Sequence, residues 1–364
     1  MTAQDTLQRT HLYNEHVALN ARMVSFGGWE MPLQYEGILA EYTHTRKAVT
    51  VFDTSHMGEF VIEGGCLESG LDRIVSMRIA DMPLQSCRYG MMLNEEGGVM
   101  DDLIVFREDA EKWFIVVNGA TTPKDARHFR GHLKQSHVFK DISSEIGKID
   151  VQGPRSREIL AALVPEIKKL SYYTFDRFNL LGETVRISRT GYTGELGYEI
   201  YSSADTVIPI WRELLKNAGV KPAGLGARDI LRLEAGYSLY GHELDESITP
   251  LEAGLQRFVD LTKDFIGKGA FLKQQKEGAQ KTLVGIISHD RRSPRQNQKL
   301  YGETGEEIGH VTSGTFSPFC QRGIGVGFVQ KNHSQHGQKV LFGEGRHQGV
   351  MTGKTFYKND SLKN

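Results

Sequence analysis

Hydrophobic and polar positions along this chain follow two periods, and the places where one gives way to the other outline its elements. Between residues 88 and 118 the pattern is that of a strand meander: 88–93, a turn at 94–98, 99–106, a polar turn, then 112–117. Helical spacing follows, with Thr121 or Thr122 placed to cap a helix that carries Pro123 in its first turn. Residues 205–218 set Val207, Ile208, Trp211, Leu214 and Leu215 on one stripe that stops at Gly219. The polar run KQQKEGAQK at 273–281 is the strongest break. Beyond it, 282–288, 307–312, 323–329 and 339–342 read as short strands between glycine turns, the spacing of a barrel or sandwich of about ninety residues. The pattern therefore predicts an α+β chain, mixed domains first and an all-β domain last, with no internal repeat.

Composition narrows the function classes. The 364 residues allow two or three packed domains, and 39% hydrophobic with 24% charged residues is the profile of a globular protein and not of a disordered or fibrous one. With 44 Lys and Arg against 45 Asp and Glu, the net charge of -1 draws in neither nucleic acid nor an anionic membrane. An anionic ligand would have to be caught locally. Cys66, Cys87 and Cys320 are odd in number and widely spaced, which argues against a disulfide framework and fits a reducing compartment. The opening MTAQDTLQRTHLYNEH predicts neither a signal peptide nor an obvious transit peptide. No stretch approaches the roughly 20 apolar residues of a spanning helix, so a cytoplasmic protein is expected.

Four segments carry candidate chemistry. Asp101 and Asp102 open the second strand of the meander; alternation groups Asp101 with Leu103 and Val105, and Asp102 with Ile104 and Phe106, so the two carboxylates are expected in separate environments. Such a pair is more often a solvated strand start, and spacing does not say which one turns inward. In SRTGYTGELGYEI (188–200) glycines at 191, 194 and 197 permit a tight turn and close approach to a flat ligand, without the spacing of a dinucleotide fingerprint. A plain hairpin would leave Glu199 on the surface; functionally, its carboxylate can accept paired hydrogen bonds from an amino-pyrimidinone edge. In PAGLGARDILRLEAGYSLYG (222–241) Arg228 stands at the start of a predicted helix, where it either pairs on the helix surface or faces a ligand in a cleft. His128 and His132 have helical spacing but no third ligand, so two surface imidazoles and no metal are expected. Gly323, Gly325 and Gly327 read as packing glycines.

Taken in order, FGGWEMPL (26–33), VFDTSHMG (51–58), GGVMDDLIV (97–105), Val117-Asn118, Gly153-Pro154, SRTGYTGELGYE, GLGARDILRLEAG, YGHELDE (240–246), DFIGK (264–268) and VTSGTFSP (311–318) resemble the glycine cleavage T-protein family. Each is weak alone; ten in one order is specific. The resemblance implies a three-domain cloverleaf, two mixed α/β domains and a C-terminal β-barrel around a central folate channel, with domains at 1–55 plus 140–250, 56–139 plus 251–272, and 282–364. It implies an aminomethyltransferase that passes a one-carbon unit from the lipoyl arm of the H-protein to tetrahydrofolate, giving 5,10-methylenetetrahydrofolate, ammonia and dihydrolipoyl protein. Carried over to this chain, Asp102 is the catalytic carboxylate near the reacting folate nitrogen and Glu199 binds the pterin. Tyr89, Asn118, Tyr173, Tyr192 and Arg228 line the pocket, and Met57 forms its wall. The choice of Asp102 over Asp101 comes from the resemblance. Arg257, where many relatives have Trp, and Phe319-Cys320-Gln321-Arg322 depart from the family and are expected to lie outside the folate contacts. The rivals are a folate-dependent demethylase on the same fold and a non-catalytic folate-binding protein. The latter's K-G-C-Y-x-G-Q-E motif has no counterpart in KDFIGKGAF (263–271), which lacks Cys.

Overall fold

The computed structural model describes residues 7–135, 138–359 and 361. The expectation of no targeting signal falls partly on residues 1–6, outside the described residues. Two larger sheets, a small three-stranded one (Gln8–Arg9, Trp29–Gln34 and Arg22–Phe26) and a barrel organise the described residues. The first sheet has six strands in the order Phe175–Leu180, Glu183–Ser188, Gly197–Ser203, Ile146–Gln152, Val49–Asp53 and Val220–Pro222, antiparallel except for the last pair. Its alternating apolar residues Val49, Val51, Ile149, Val151, Ile187 and Ile200 bury against Leu160 of the helix Ser156–Leu163 and against the helix Ala204–Leu215. That leaves Lys148, Asp150 and Glu199 on the opposite face.

The helix Ala204–Leu215 begins one residue before the predicted start and ends three residues before the predicted stop. The Ser203 hydroxyl caps it by accepting the Thr206 N–H. Its fully buried stripe is Val207, Ile210, Trp211 and Leu214, while Ile208 and Leu215 only flank the core. Ile210 completes the i, i+3, i+4, i+7 set counted from Val207, and the predicted stripe omitted it.

The second sheet is the predicted meander enlarged. Ser86–Leu93, Val99–Asp109, Lys112–Val117, Gly58–Glu63 and Phe139–Asp141 lie in that order, all antiparallel. The helix Thr122–His132 covers one face through Ala126 and Phe129. The other face meets the six-stranded sheet through Cys87, Phe106, Phe114, Val116, Phe175 and Tyr201.

The C-terminal strands form a closed barrel and not a sandwich: Lys281–Ser288, Arg322–Gln330, Glu307–Ser317, Lys299–Tyr301, Lys339–Phe342 and His347–Thr352. Lys299–Tyr301 and His347–Thr352, which strand spacing did not reveal, complete the ring. The first is only three residues long, too short to show a period of two. The three glycines of 323–327 are packing glycines as expected: a Cβ at Gly323 would lie 2.1 Å from the Arg292 carbonyl oxygen, and one at Gly327 2.5 Å from that of His310. The polar run at 273–281 is mostly the end of the helix Lys268–Glu277, stopped by Gly278 at φ 89°. A central helix, Leu225–Ala235, packs on the first sheet through Ala227, Ile230 and Leu231, and on the barrel through Leu233. Among the described residues, no helix is long and apolar enough to cross a membrane.

Candidate functional site

The strand Val99–Asp109 pairs with Ser86–Leu93 along most of its length but with Lys112–Val117 only from Ile104 onward. Asp101 and Asp102 thus stand beyond the end of one ladder, where Asn118 reaches back to them. The Asn118 side-chain amide donates to Asp101 Oδ1 and to Asp102 Oδ1, each at 2.8 Å. This corrects the expectation of separate environments. Alternation does hold for Leu103 and Val105 on one face and Ile104 and Phe106 on the other. At the open ladder end, however, one amide spans both faces.

Tyr89 sits diagonally across from Asp102 on the neighbouring strand, and its hydroxyl donates to Asp102 Oδ2 at 2.9 Å. Burial, with the charge of Asp101 added, raises the Asp102 carboxyl from 3.8 to about 7, against the opposing bonds from Tyr89 and Asn118. Asp102 keeps partial solvent access, whereas Asp101 is fully buried. Asp101 also accepts the Thr121 hydroxyl at 2.8 Å. Thr121 occupies the N-cap position of its helix but accepts no helix N–H through its side chain, contrary to the predicted capping role.

Facing this group is a buried ionic array on the six-stranded sheet. Register places Lys148 opposite Tyr201 and Asp150 opposite Glu199, all on the face away from the helices. Lys148 Nζ lies 2.9 Å from Asp150 Oδ1, 3.2 Å from Glu199 Oε1 and 3.6 Å from Met57 Sδ. Arg228, in the first turn of the central helix, reaches Asp150 Oδ2 at 2.8 Å. Burial alone would raise Asp150 and lower Lys148; their mutual attraction, with Arg228 on Asp150 and Glu199 on Lys148, reverses both. Glu199 is 5% exposed, not the surface strand residue of the plain hairpin reading, and it also accepts the hydroxyls of Thr190 at 2.7 Å and Tyr201 at 2.9 Å.

Aromatic rings complete the enclosure. The Arg228 guanidinium lies 4.9 Å from the Tyr192 ring centroid, and Tyr192 stacks on Tyr237 with centroids 5.6 Å apart. Tyr173 takes a left-handed φ of 60° and meets Tyr172 edge-on. Burial first, then the charges of Asp102, Tyr173 and Tyr192, push the Tyr89 hydroxyl well above its usual range, so these side chains act on one another at short range. All eight residues selected from the sequence therefore converge. Apart from Glu199, every one is neither buried nor fully exposed, the condition of side chains lining a hollow. Two surface depressions, of about 380 and 680 Å³, lie elsewhere and contain none of the eight. Chemistry, and not size, singles out this site.

Two family models match the chain: the GCVT N-terminal domain over residues 12–263, and the glycine cleavage T-protein C-terminal barrel domain over residues 281–358. The chain belongs to the glycine cleavage T-protein family. An aminomethyltransferase from Pseudothermotoga lettingae is 44% identical over 328 residues, covering 89% of this chain and 90% of the relative. One from Caldanaerobacter subterraneus subsp. tengcongensis is 37% identical over 371 residues, covering 99% and 98%. The crystal structure of glycine cleavage system aminomethyltransferase T from Bartonella henselae covers 98% of both chains at 28% identity, with a TM-score of 0.89. The relatives are enzymes of one-carbon transfer, and so is this family member.

Within this T-protein family member, two placements were not foreseen from the sequence, those of His128 and Arg257. His128 is buried while His132 is exposed, with ring centroids 4.2 Å apart, so they are not two surface imidazoles; burial lowers His128 to about 4. Among the described residues no group of three His, Cys, Asp or Glu side chains is arranged to hold a metal ion. Arg257 lies over Phe258 at 4.7 Å, and Phe258 meets the Tyr89 ring at 4.8 Å, so this departure lies one side chain from Tyr89 and not remote from it. Phe319 stays at the barrel surface against Tyr357.

Sequence reasoning missed Lys148 and Asp150. Their signal was present as opposite charges two apart in KIDV, on a strand whose other face is apolar. Gly119, next to Asn118, was also missed. A Cβ there would lie 2.2 Å from the His56 carbonyl oxygen. Gly119→Ala should therefore destabilise the protein by about 1–3 kcal/mol and pull Asn118 off Asp102. A denaturation midpoint and a rate measured on the same sample check this; an unchanged midpoint and rate would refute it.

Proposed function

We propose that this chain transfers the carbon of a lipoyl-bound aminomethyl group, presented by the H-protein of the glycine cleavage system, to tetrahydrofolate in the cytoplasm. The products are 5,10-methylenetetrahydrofolate, ammonia and dihydrolipoyl protein. The observation that carries this reading is a carboxyl group poised near neutrality, Asp102, held by Tyr89 and Asn118 across from a carboxylate, Glu199, fixed by an ionic array. We take 1–55 with 140–250, 56–139 with 251–272, and 282–364 as the three lobes that enclose the channel.

The residues fit a reduced pterin. Glu199 Oε1 accepts only Lys148, at 3.2 Å, and so keeps acceptor capacity for an N–H of an amino-pyrimidinone edge. Tyr89, Tyr173 and Tyr192 offer ring faces and edges to a flat ligand, with Met57 as the wall, and Arg228 offers a planar donor. When bound, tetrahydrofolate supplies the nitrogen that takes up the carbon. Glu199 and Arg228 orient the ring. The Asp102 carboxylate steadies the positive charge that develops on the transferred carbon and accepts a proton at Oδ1 or Oδ2, an effect that grows as water is excluded.

The test is turnover. With aminomethyl-lipoyl H-protein and tetrahydrofolate, ammonia and methylenetetrahydrofolate should appear in equal amounts, and omission of the folate should slow ammonia release strongly. A sulfonium methyl donor should give no methyl transfer. Transfer from the sulfonium, or ammonia release indifferent to folate, would overturn the reading.

A further inference from the structure

Behind Asp102, on the side of the meander sheet covered by the helix Thr122–His132, lies a third carboxyl group that the proposed reaction does not use. Asp101 and Asp125 are both 0% exposed. Asp101 accepts the Asn118 backbone N–H at 3.0 Å, the Asn118 side-chain amide at 2.8 Å and the Thr121 hydroxyl at 2.8 Å. Asp125, in the first turn of the helix, meets Asp101 carboxyl to carboxyl. Neither Asp125 oxygen receives an N–H or O–H in bonding geometry, and the Thr121 hydroxyl beside it is directed at Asp101 and the Asn118 carbonyl.

Among the described residues no cation forms an ion pair with either carboxyl, although Lys124 lies near enough to Asp125 to favour its charge. Lys124 directs its ammonium to the Met100 carbonyl, the Tyr240 hydroxyl and Glu246, and the other groups that act on the pair are Asp102, Asn118, Thr121 and Tyr240. Two buried carboxylates in contact cannot both stay ionised, because each loses its hydration and repels the other. Burial and the neighbouring Asp125 push Asp101 well above the usual carboxylate range, and burial raises Asp125 to about 6.

We propose that Asp101 and Asp125 share one proton through a carboxylic acid to carboxylate hydrogen bond, and that Asp125 is thereby a positioning residue for Asp102, acting through Asp101 and Asn118. The shared proton holds the charge behind Asp102 at one instead of two. It also keeps Asp101 aligned as the acceptor that anchors Asn118, whose second amide hydrogen fixes Asp102. The shared proton stands on the burial of both carboxyls, their contact and the lack of a donor to Asp125, and does not need the folate reading; the consequence for rate rests on that reading.

Difference infrared spectra of the full-length protein at pH 8, wild type minus Asp125→Asn, should show a carboxylic-acid carbonyl band. Glu59, another buried carboxyl without a donor, contributes equally to both and cancels. Asp125→Ala should lower kcat about tenfold with the KM for tetrahydrofolate nearly unchanged, and Asp125→Asn, which keeps a neutral donor, should restore most of it. Absence of the band overturns the shared proton, whatever the protein does with folate. A band with wild-type kcat in Asp125→Ala overturns the positioning role, as does failure of Asp125→Asn to restore it. Should Asp125→Ala not fold, the infrared result and the rate of Asp125→Asn decide. Wild-type protein that shows the band but no folate-dependent turnover would point instead to failure of the functional reading.

Discussion

Asp102→Asn is expected to slow aminomethyl transfer by about 10²- to 10⁴-fold, the usual worth of a positioned acid–base group, while making the folded protein harder to unfold above pH 7. The second half follows from the raised carboxyl. Folded Asp102 titrates at about 7 and an ordinary aspartate at 3.8. Between those values the native state holds a proton that the unfolded chain has released, so stability falls as pH rises. The contribution is fully present below about pH 4 and is lost as pH climbs through 7, up to a ceiling of about 4 kcal/mol for a difference of this size. Asn removes the charge and still offers Asn118 a carbonyl acceptor. Denaturant midpoints should therefore coincide for wild type and variant near pH 4 and diverge in favour of the variant at pH 8. The wild-type rate should rise through pH 7 as the carboxyl ionises, provided the carboxylate is the active form. A variant that turns over like the wild type would sink the catalytic assignment. One that is less stable at pH 8 would mean that Asp102 serves the fold instead.

The second large effect is expected at Lys148, whose side chain is 2% exposed between Asp150 and Glu199. Lys148→Met keeps the length and removes the ammonium, leaving Asp150 with Arg228 and the Thr54 hydroxyl, and Glu199 with neutral donors. Breaking one side of such a buried array costs about 3–5 kcal/mol, because the remaining charge is stranded in a poor solvent. The pH dependence runs opposite to that of Asp102. Asp150 is held below its usual range by Lys148 and Arg228, so its stabilisation is present above about pH 4 and lost as pH falls through the lowered value. The gap between Lys148→Met and wild type should accordingly be wide at pH 8 and narrow in acid. Adding Glu199→Gln to Lys148→Met should recover part of the loss, since an amide needs no counter-charge. Urea denaturation of the three proteins at two pH values measures all of this. Equal midpoints for Lys148→Met and wild type at pH 8 would show that the array contributes nothing to the fold.

Local rules carried the sequence reading a long way. Alternation placed Leu103 and Val105 on one face and Ile104 and Phe106 on the other, and the cores on the two sides of the meander sheet confirm it. Residues 339–342 form a strand with the expected bounds, and the glycines at 323, 325 and 327 sit where backbone crosses close by. Ten motifs in one order pointed to a family before any contact was visible, and the matches over residues 12–263 and 281–358 bear that out. These features depend on residues within a turn or two of each other, or on types retained along the chain.

What the sequence determined by itself was the meander, the helices at 122–132 and 204–215 to within a few residues, four of the six barrel strands and the family. Only the tertiary structure decided that Asn118 bridges both aspartates, because a strand-ladder end depends on pairing and not on period. It alone gave Glu199 its counter-ion Lys148, 51 positions away, and Arg228 its partner Asp150, 78 away. It also brought Arg257 within one ring of Tyr89 and closed the barrel with a strand of three residues. A charged residue in isolation reads as solvated. Whether it is buried, and what neutralises it, depends on chain segments that meet only when the sheets pack.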